Sequence, residues 1–384
     1  MNTLSTHTDR TPPITTPGHL LANIPGLLGF YPTESVVFMA IDTTPRGPAM
    51  GPLARVDIAD AQGAVADISP LLAEHAREGV FAFLISKRPL TELREVAHWL
   101  YGLDRAEDGL EVDAAWHTRE ITKHEAYVLL HGTVNADGSG PMKKWVEGTI
   151  PALTDAPSMR SCVDHNVVPE LNREEFFAVF AAGNQYLDAA EADALARQAR
   201  ETATQYRAQV AAVRGKKRKD LLDHLLDDAR WALHQVASVE EAEQDSELLA
   251  TCAVWLSTTW TRDLVVNVCA TSGEKGAHLL LAAARTFGGE LRANALTLFA
   301  LAQLEQEWDI LAGPALQLVV EEFPSHRLGS LLCQAYRHGL HEKIRDSIHT
   351  GALKSYENAI GEGEEHSEDA ASDAQNVPAR RAAG

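Results

Sequence analysis

Apolar residues run unbroken through "VVFMAI" at 36–41, behind the polar corner "GFYPTES" and ahead of "DTTPRGP". A short β-branched and aromatic run bounded by turn formers predicts a buried strand over 35–41. "LARVDIA" (53–59) predicts a second strand of imperfect alternation, with "TTPRGPAMGP" as the hairpin loop between them. "VFAFLIS" (80–86) has no polar face, the pattern of a strand covered on both sides. "EVDAAWH" (111–117) and "EAYVLLH" (125–131) predict two more strands. Three helices are expected among them. "HLLANIPGLLGF" predicts a short one ended near Pro25 and Gly26. Ser69 as cap, Pro70 at the first position and Gly79 as terminator predict the second. Leu90, Leu93, Val96, Ala97 and Leu100 mark one face of the third, ended by Gly102. The order β-β-α-β-α-β-β predicts a layered α/β domain with a mixed sheet.

The periodicity lapses over 132–170, where a lid, a binding segment and a linker all remain open as readings. From Asn172 the pattern turns helical, and residues 173–212 are rich in good helix formers. "RGKKRKD" interrupts at 214–220, and helices continue to about 358. Residues 293–340 alternate helix, turn, helix, Pro324, helix and Gly339, with Trp308 at the first turn, small Ala315 in the second helix and Ser325 as the next cap. That rhythm resembles tetratricopeptide-like hairpins, whose apolar faces are covered only by stacking. The expected organisation is a disordered leader at 1–17 and an α/β domain at 18–135. An irregular bridge or loop follows at 136–171. A helical domain spans 172–358, tetratricopeptide-like around 290–340, and a disordered acidic tail closes the chain at 359–384. The fold class is α+β overall.

Charge narrows the function. A net charge of -20 disfavours broad contact with phosphate backbones or anionic lipid. The one basic run, "RGKKRK", reads as a solvated helix face or an interdomain linker. The four cysteines, Cys162, Cys252, Cys269 and Cys333, form no CxxC pair, which fits reduced thiols. The start has no signal-peptide pattern and no apolar stretch approaches membrane-spanning length, so a cytoplasmic location is expected.

"LLANIPGLLGFYPTESVVFMAI", "LARVDIA", "TRDLVVNVCA" (261–270) and the hairpin from Trp308 to Pro324 occur in an order that resembles the actinobacterial domain-of-unknown-function family 4192, over roughly 18–345. Gly29, Pro32, Glu34 and Ser35 match its sharpest part, and the pairs Arg55/Asp57 and Arg262/Asp263 match two others. The resemblance implies an α/β front and a helical back, and it brings no activity with it. Family members often carry a Trp- and Cys-containing segment with Pro and Gly in the middle. Here only "DGSGPMKKWVEG" and Cys162 echo it.

The candidate binding site is the corner Tyr31, Thr33, Glu34 and Ser35 with Arg55 and Asp57. A rigid Pro32 turn places a carboxylate and a hydroxyl at the mouth of a sheet, and Arg55 and Asp57, two apart on a strand, share a face. A plain type I turn and a structural ion pair are the alternatives. If the first two strands are neighbours, Glu34 or Asp42 comes close to Arg55. His117, His124 and His131 with Glu125 lack the tight spacing of a zinc helix, so no metal and no cofactor is expected. Walker A, GxGxxG and GxSxG signatures are absent and no catalytic residue is assigned. Trp255, Trp260 and Trp308 read as core, and Asp263 as an acid at a helix start. The expectation is a binding or adaptor protein whose helical half contacts a protein partner. The alternative is an enzyme or small-ligand sensor with a polar ligand at the Glu34/Ser35 corner. A nucleic-acid role and a membrane partner are not expected.

Overall fold

Thr16 opens the first helix: its side chain accepts from the His19 backbone N–H and Pro17 follows at the first helical position. The computed structural model describes residues 15–44, 47–73, 76, 78–103, 110–132, 143–164, 167–306 and 310–361. Most of the expected leader and tail, part of the bridge, and Trp308 lie outside these. The chain divides into two compact units, Met1–Val179 and Phe180–Gly384.

In the first unit, helix α1 (Pro17–Leu28) runs through Pro25 and stops only where Gly29 turns left-handed at φ 81°. A stop near Pro25 was expected, but Gly29 can take that conformation at no steric cost. Strands β1 (Ser35–Thr44) and β2 (Gly47–Asp57) form a hairpin longer than its sequence suggested. Gly51 and Pro52 stand together opposite Ala40, a bulge that lets β2 resume its register after the missing proline N–H. Helix α2 (Ala61–Ala73) begins earlier than expected and holds Pro70 in its last turn rather than its first. Strand β3 (Gly79–Ile85), helix α3 (Arg94–Gly102), and strands β4 (Ala114–Thr118) and β5 (Ala126–Gly132) follow.

The stretch expected to be irregular contains helix α4 (Lys143–Val146), edge strand β6 (Glu147–Thr149), which pairs with β5, and helix α5 (Pro157–Asp164). Alternation is unreadable in a three-residue strand, which is why periodicity missed it. Helix α6 (Arg173–Ala178) follows, capped by Asn172.

The mixed sheet has the order β2-β1-β3-β4-β5-β6, and only β3 and β4 run parallel. Residues 36–40 of β1 are fully buried on both faces. One face packs Val37, Met39, Phe83 and Trp116 under Leu20, Leu21 and Ile24 of α1 and Met159 of α5. The other packs Val36, Phe38, Ala82, Leu84 and Ala115 under Val65 and Leu72 of α2 and Leu100 of α3. The core is therefore two apolar layers with the sheet between them.

The second unit is entirely helical among its described residues: α7 (Ala189–Ala212), α8 (Lys216–Ala232), α9 (Val239–Gln244), α10 (Ser246–Leu256), α11 (Thr259–Ala270), α12 (Gly273–Thr286), α13 (Gly289–Leu304), α14 (Ala312–Glu322), α15 (Arg327–Arg337) and α16 (His341–Gly361). Every residue from Leu291 to Leu304 of α13 is buried, so this helix is the axis of the unit. The helix–turn–helix rhythm read in the sequence is α13, α14 and α15, with Gly339 at φ 65° after the last. His326, not Ser325, caps α15.

The basic run is not purely a solvated face. Arg218 is buried, and its guanidinium donates to the carbonyls of Val210, Ala211 and Val213 at the end of α7 and of Ile360 in α16. These are helix-end carbonyls without helical partners, which a guanidinium with its five donors suits. Asp263 lies beyond the first turn of α11 and pairs with Arg262 at 2.6 Å, so the dipole reading does not apply.

Candidate functional site

Because β3 and β4 run parallel, the residues after them, Ser86–Arg88 and Arg119–Glu120, emerge at one end of the sheet. Antiparallel β1 starts and β2 ends there too, since Ser35 stands opposite both Asp57 and Ile85. All the sequence-derived candidates except Tyr31 thus gather at this end.

Arg55 organises one half of it. Its Nε donates to Ser35 Oγ at 2.8 Å, and its Nη2 meets Asp57 Oδ1 at 2.6 Å and the Thr33 carbonyl at 3.4 Å. Ser35, fully buried, donates its own proton to the Thr33 carbonyl at 2.6 Å. Arg55 and Asp57 do share a face, as their spacing required.

Glu34 organises the other half, and it does not pair with Arg55. Its Oε1 accepts from Ser86 Oγ at 2.7 Å and the Lys87 backbone N–H at 3.2 Å, and its Oε2 meets Arg88 Nε at 2.9 Å. Its backbone has φ 45°, so the carboxylate swings away from β2 toward the loop after β3. Asp42 stands opposite Ala49, far along the strand from Arg55. Ser86, Lys87 and Arg88 were not identified from sequence. Their signal was a polar, cationic run directly after a strand with no polar face.

Tyr31 points elsewhere. It packs against the core under α1, and burial raises its phenol pKa. Its backbone N–H donates to the Glu170 carbonyl at 2.9 Å. Cys162, the residue echoing the Trp/Cys segment, is buried and its thiol pKa is raised by that burial.

The three histidines do not converge. His117 is buried beside Ser86, with Nε2 3.1 Å from its carbonyl. His124 sits exposed in a turn at φ 69°, and His131 lies edge-on to Tyr101. Among the described residues no group of three His, Cys, Asp or Glu side chains is placed to hold a metal.

A family model described as a domain of unknown function, DUF4192, matches residues 17–343. The chain belongs to the DUF4192 family. That span takes in the corner, the sheet and α1 to α15, so in this DUF4192 chain the corner and the helical unit are parts of one family pattern. No curated protein and no solved structure matches it.

The second unit offers a different kind of site. Between α11, α15 and α16 lies a groove of about 490 Å³, walled by Leu328, Leu331 and Leu332 on one side and Ile344, Ile348 and Ala352 on the other. Leu331 is 64 % exposed and lines this groove. At its floor, Arg262 Nη1 donates to Asn294 Oδ1 at 3.0 Å, and His326 Nε2 lies 2.9 Å from the same oxygen. Since His326 Nδ1 accepts from the Gly329 N–H at 3.1 Å, Nε2 carries the proton and the ring is neutral. Burial and the nearby Arg262 lower the His326 pKa to about 4. No helix of the described residues is long and apolar enough to cross a membrane.

Proposed function

We propose that this chain is a cytoplasmic binding or adaptor protein that holds a protein partner in the groove of its helical unit. The observation that carries this is the open apolar groove itself. Its α16 wall presents residues 344, 348, 352 and 355, three turns of one stripe, or about 16 Å at 1.5 Å per residue. Ile344, Ile348 and Ala352 at that spacing, with Ser355 as the polar end of the stripe, suit the face of an amphipathic partner helix of similar length. Lys343 at the rim makes no ion pair among the described residues, which favours a partner helix with an acidic residue beside its apolar stripe. The helix–turn–helix rhythm of α13 to α15, which resembles tetratricopeptide hairpins, supports this reading.

The alternative, an enzyme or sensor at the Glu34/Ser35 corner, has weaker support. Both oxygens of Glu34, the Ser35 hydroxyl and the Arg55 guanidinium already have partners within the corner. We read it as a latch that ties β1, β2 and the loop after β3 together.

The test is selection from a displayed library of helix-forming peptides about three turns long. The expected winners have an apolar stripe with an adjacent acid, and Leu331→Glu weakens them at least tenfold while Glu34→Gln does not. Failure to enrich any such peptide, or binding indifferent to Leu331→Glu, overturns the proposal. Because Leu331 is largely exposed, the substitution leaves the fold intact, which circular dichroism checks.

A further inference from the structure

A second cavity, of about 590 Å³, opens in the first unit over the ends of β4, β5 and β6. It is lined by His117, Arg119, Glu125, Val128, Lys143 and Thr149, among others. His117 stands opposite Val128, which stands opposite Glu147 on β6. Directly opposed residues share a face, so these three side chains form one floor. Ala126 and Val128 are small and leave the space above that floor open.

The chemistry of this floor differs from that of the corner. His117 is 7 % exposed, and burial lowers its pKa, which favours the neutral ring; with Nε2 donating to the Ser86 carbonyl, Nδ1 is then a bare acceptor. Nδ1 has no hydrogen-bond partner among the described residues. The tautomer is therefore set by the backbone after β3, and His117 lines the cavity. Two opposite charges flank it. Arg119 follows β4 and Glu125 precedes β5, and neither makes an ion pair among the described residues. The other charges nearby are paired: Lys143 with Glu147 at 3.8 Å and Lys87 with Glu120 at 2.6 Å. What remains is one guanidinium, one carboxylate and one neutral acceptor around a cavity of small-molecule size.

We infer that this cavity binds a small zwitterion of the amino-acid class. The ligand carboxylate meets the Arg119 guanidinium, whose fork matches it in geometry, and the ammonium is shared by Glu125 and His117 Nδ1. A simple anion would face Glu125 unpaired, and a simple cation would face Arg119. Only a ligand carrying both charges satisfies both. This site is independent of the helical groove, in residues and in ligand.

The test is calorimetric titration of the full-length protein with the common free amino acids, alongside their N-acetylated and decarboxylated forms. At least one free amino acid is expected to bind, with both blocked forms at least tenfold weaker. Arg119→Gln and Glu125→Gln are each expected to weaken it about tenfold or more, the loss of one charge-assisted contact. Both residues sit at strand ends on the surface, and Leu331→Glu serves as the control expected to change nothing here. Two results would overturn the inference: no free amino acid binding at all, or binding that survives both charge substitutions or the blocking of either ligand end.

Discussion

Glu34, at φ 45°, holds a left-handed backbone that costs a non-glycine residue roughly 1 kcal/mol. Its contacts with Ser86, Lys87 and Arg88 maintain it there. Glu34→Ala should lower the free energy of unfolding in urea by about 1–2 kcal/mol, because the Ser86 hydroxyl and the Lys87 N–H lose their acceptor. Glu34→Gly should cost less, since glycine relieves the backbone while losing the same contacts. The corner itself was legible from Pro32 and the polar run before an apolar one. Its partners were not, because Ser86 and Arg88 arrive some fifty residues later through strand pairing, which no local pattern records. His326 allows a sharper test. Its pKa in the folded chain, about 4, lies below that of a free imidazole near 6.5, so the native state favours the neutral ring. The stability this provides is complete above about pH 6.5 and is lost as pH falls toward about 4, since the unfolded chain takes up the proton first. His326→Asn retains a capping side chain without titrating. The Tm difference between wild type and this variant should therefore shift in favour of the variant as the pH is lowered from 7 to 4.5.

At the scale of elements, close approach decides more than propensity. Helices α1 and α5 meet at Gly26, where an added Cβ would lie 2.6 Å from Ser158 Oγ and 2.7 Å from its backbone carbon. Ser158 also donates from its N–H to Asn23 Oδ1 at 3.1 Å and from its hydroxyl to the Asn23 carbonyl at 2.8 Å. Gly26→Ala should destabilise by about 1–3 kcal/mol, read by thermal or urea unfolding. From sequence, Gly26 looked like a helix stop; its actual use is packing, and only the position of α5 reveals that. Pro70 misled in the same way, because a proline signals a helix start only when tertiary contacts leave the preceding turn unformed. The strands were read more faithfully: β1 is buried from Ser35 to Ile41 and β3 from Ala82 to Ile85, so their apolar runs left little ambiguity. Helix α13 has a polar residue at its centre for a reason. Asn294 is fully buried, accepts from Arg262 and His326, and donates to the Leu256 carbonyl at 2.7 Å. Asn294→Ala strands all three partners, and a loss of roughly 3 kcal/mol or more is expected in equilibrium unfolding.

The two units carry separate cores, one built on a sheet and one on a single buried helix. Native-state hydrogen exchange should find the slowest amides in β1 and β3 in the first and in α13 in the second. The α+β class was evident from the switch in apolar period near residue 172, whereas the sheet's outer limits were not, because β6 is too short to show alternation. Those limits have a consequence for how molecules of this chain behave toward one another. A sheet that ends in an open strand can recruit the same strand from a neighbour. Here one outer strand, β2, is broken by Pro48, Pro52 and a bulge, and the other, β6, spans three residues. Among the described residues neither rim offers a long unbroken row of donors and acceptors, so the sheet edges are poor templates along which crowded molecules could grow fibrils.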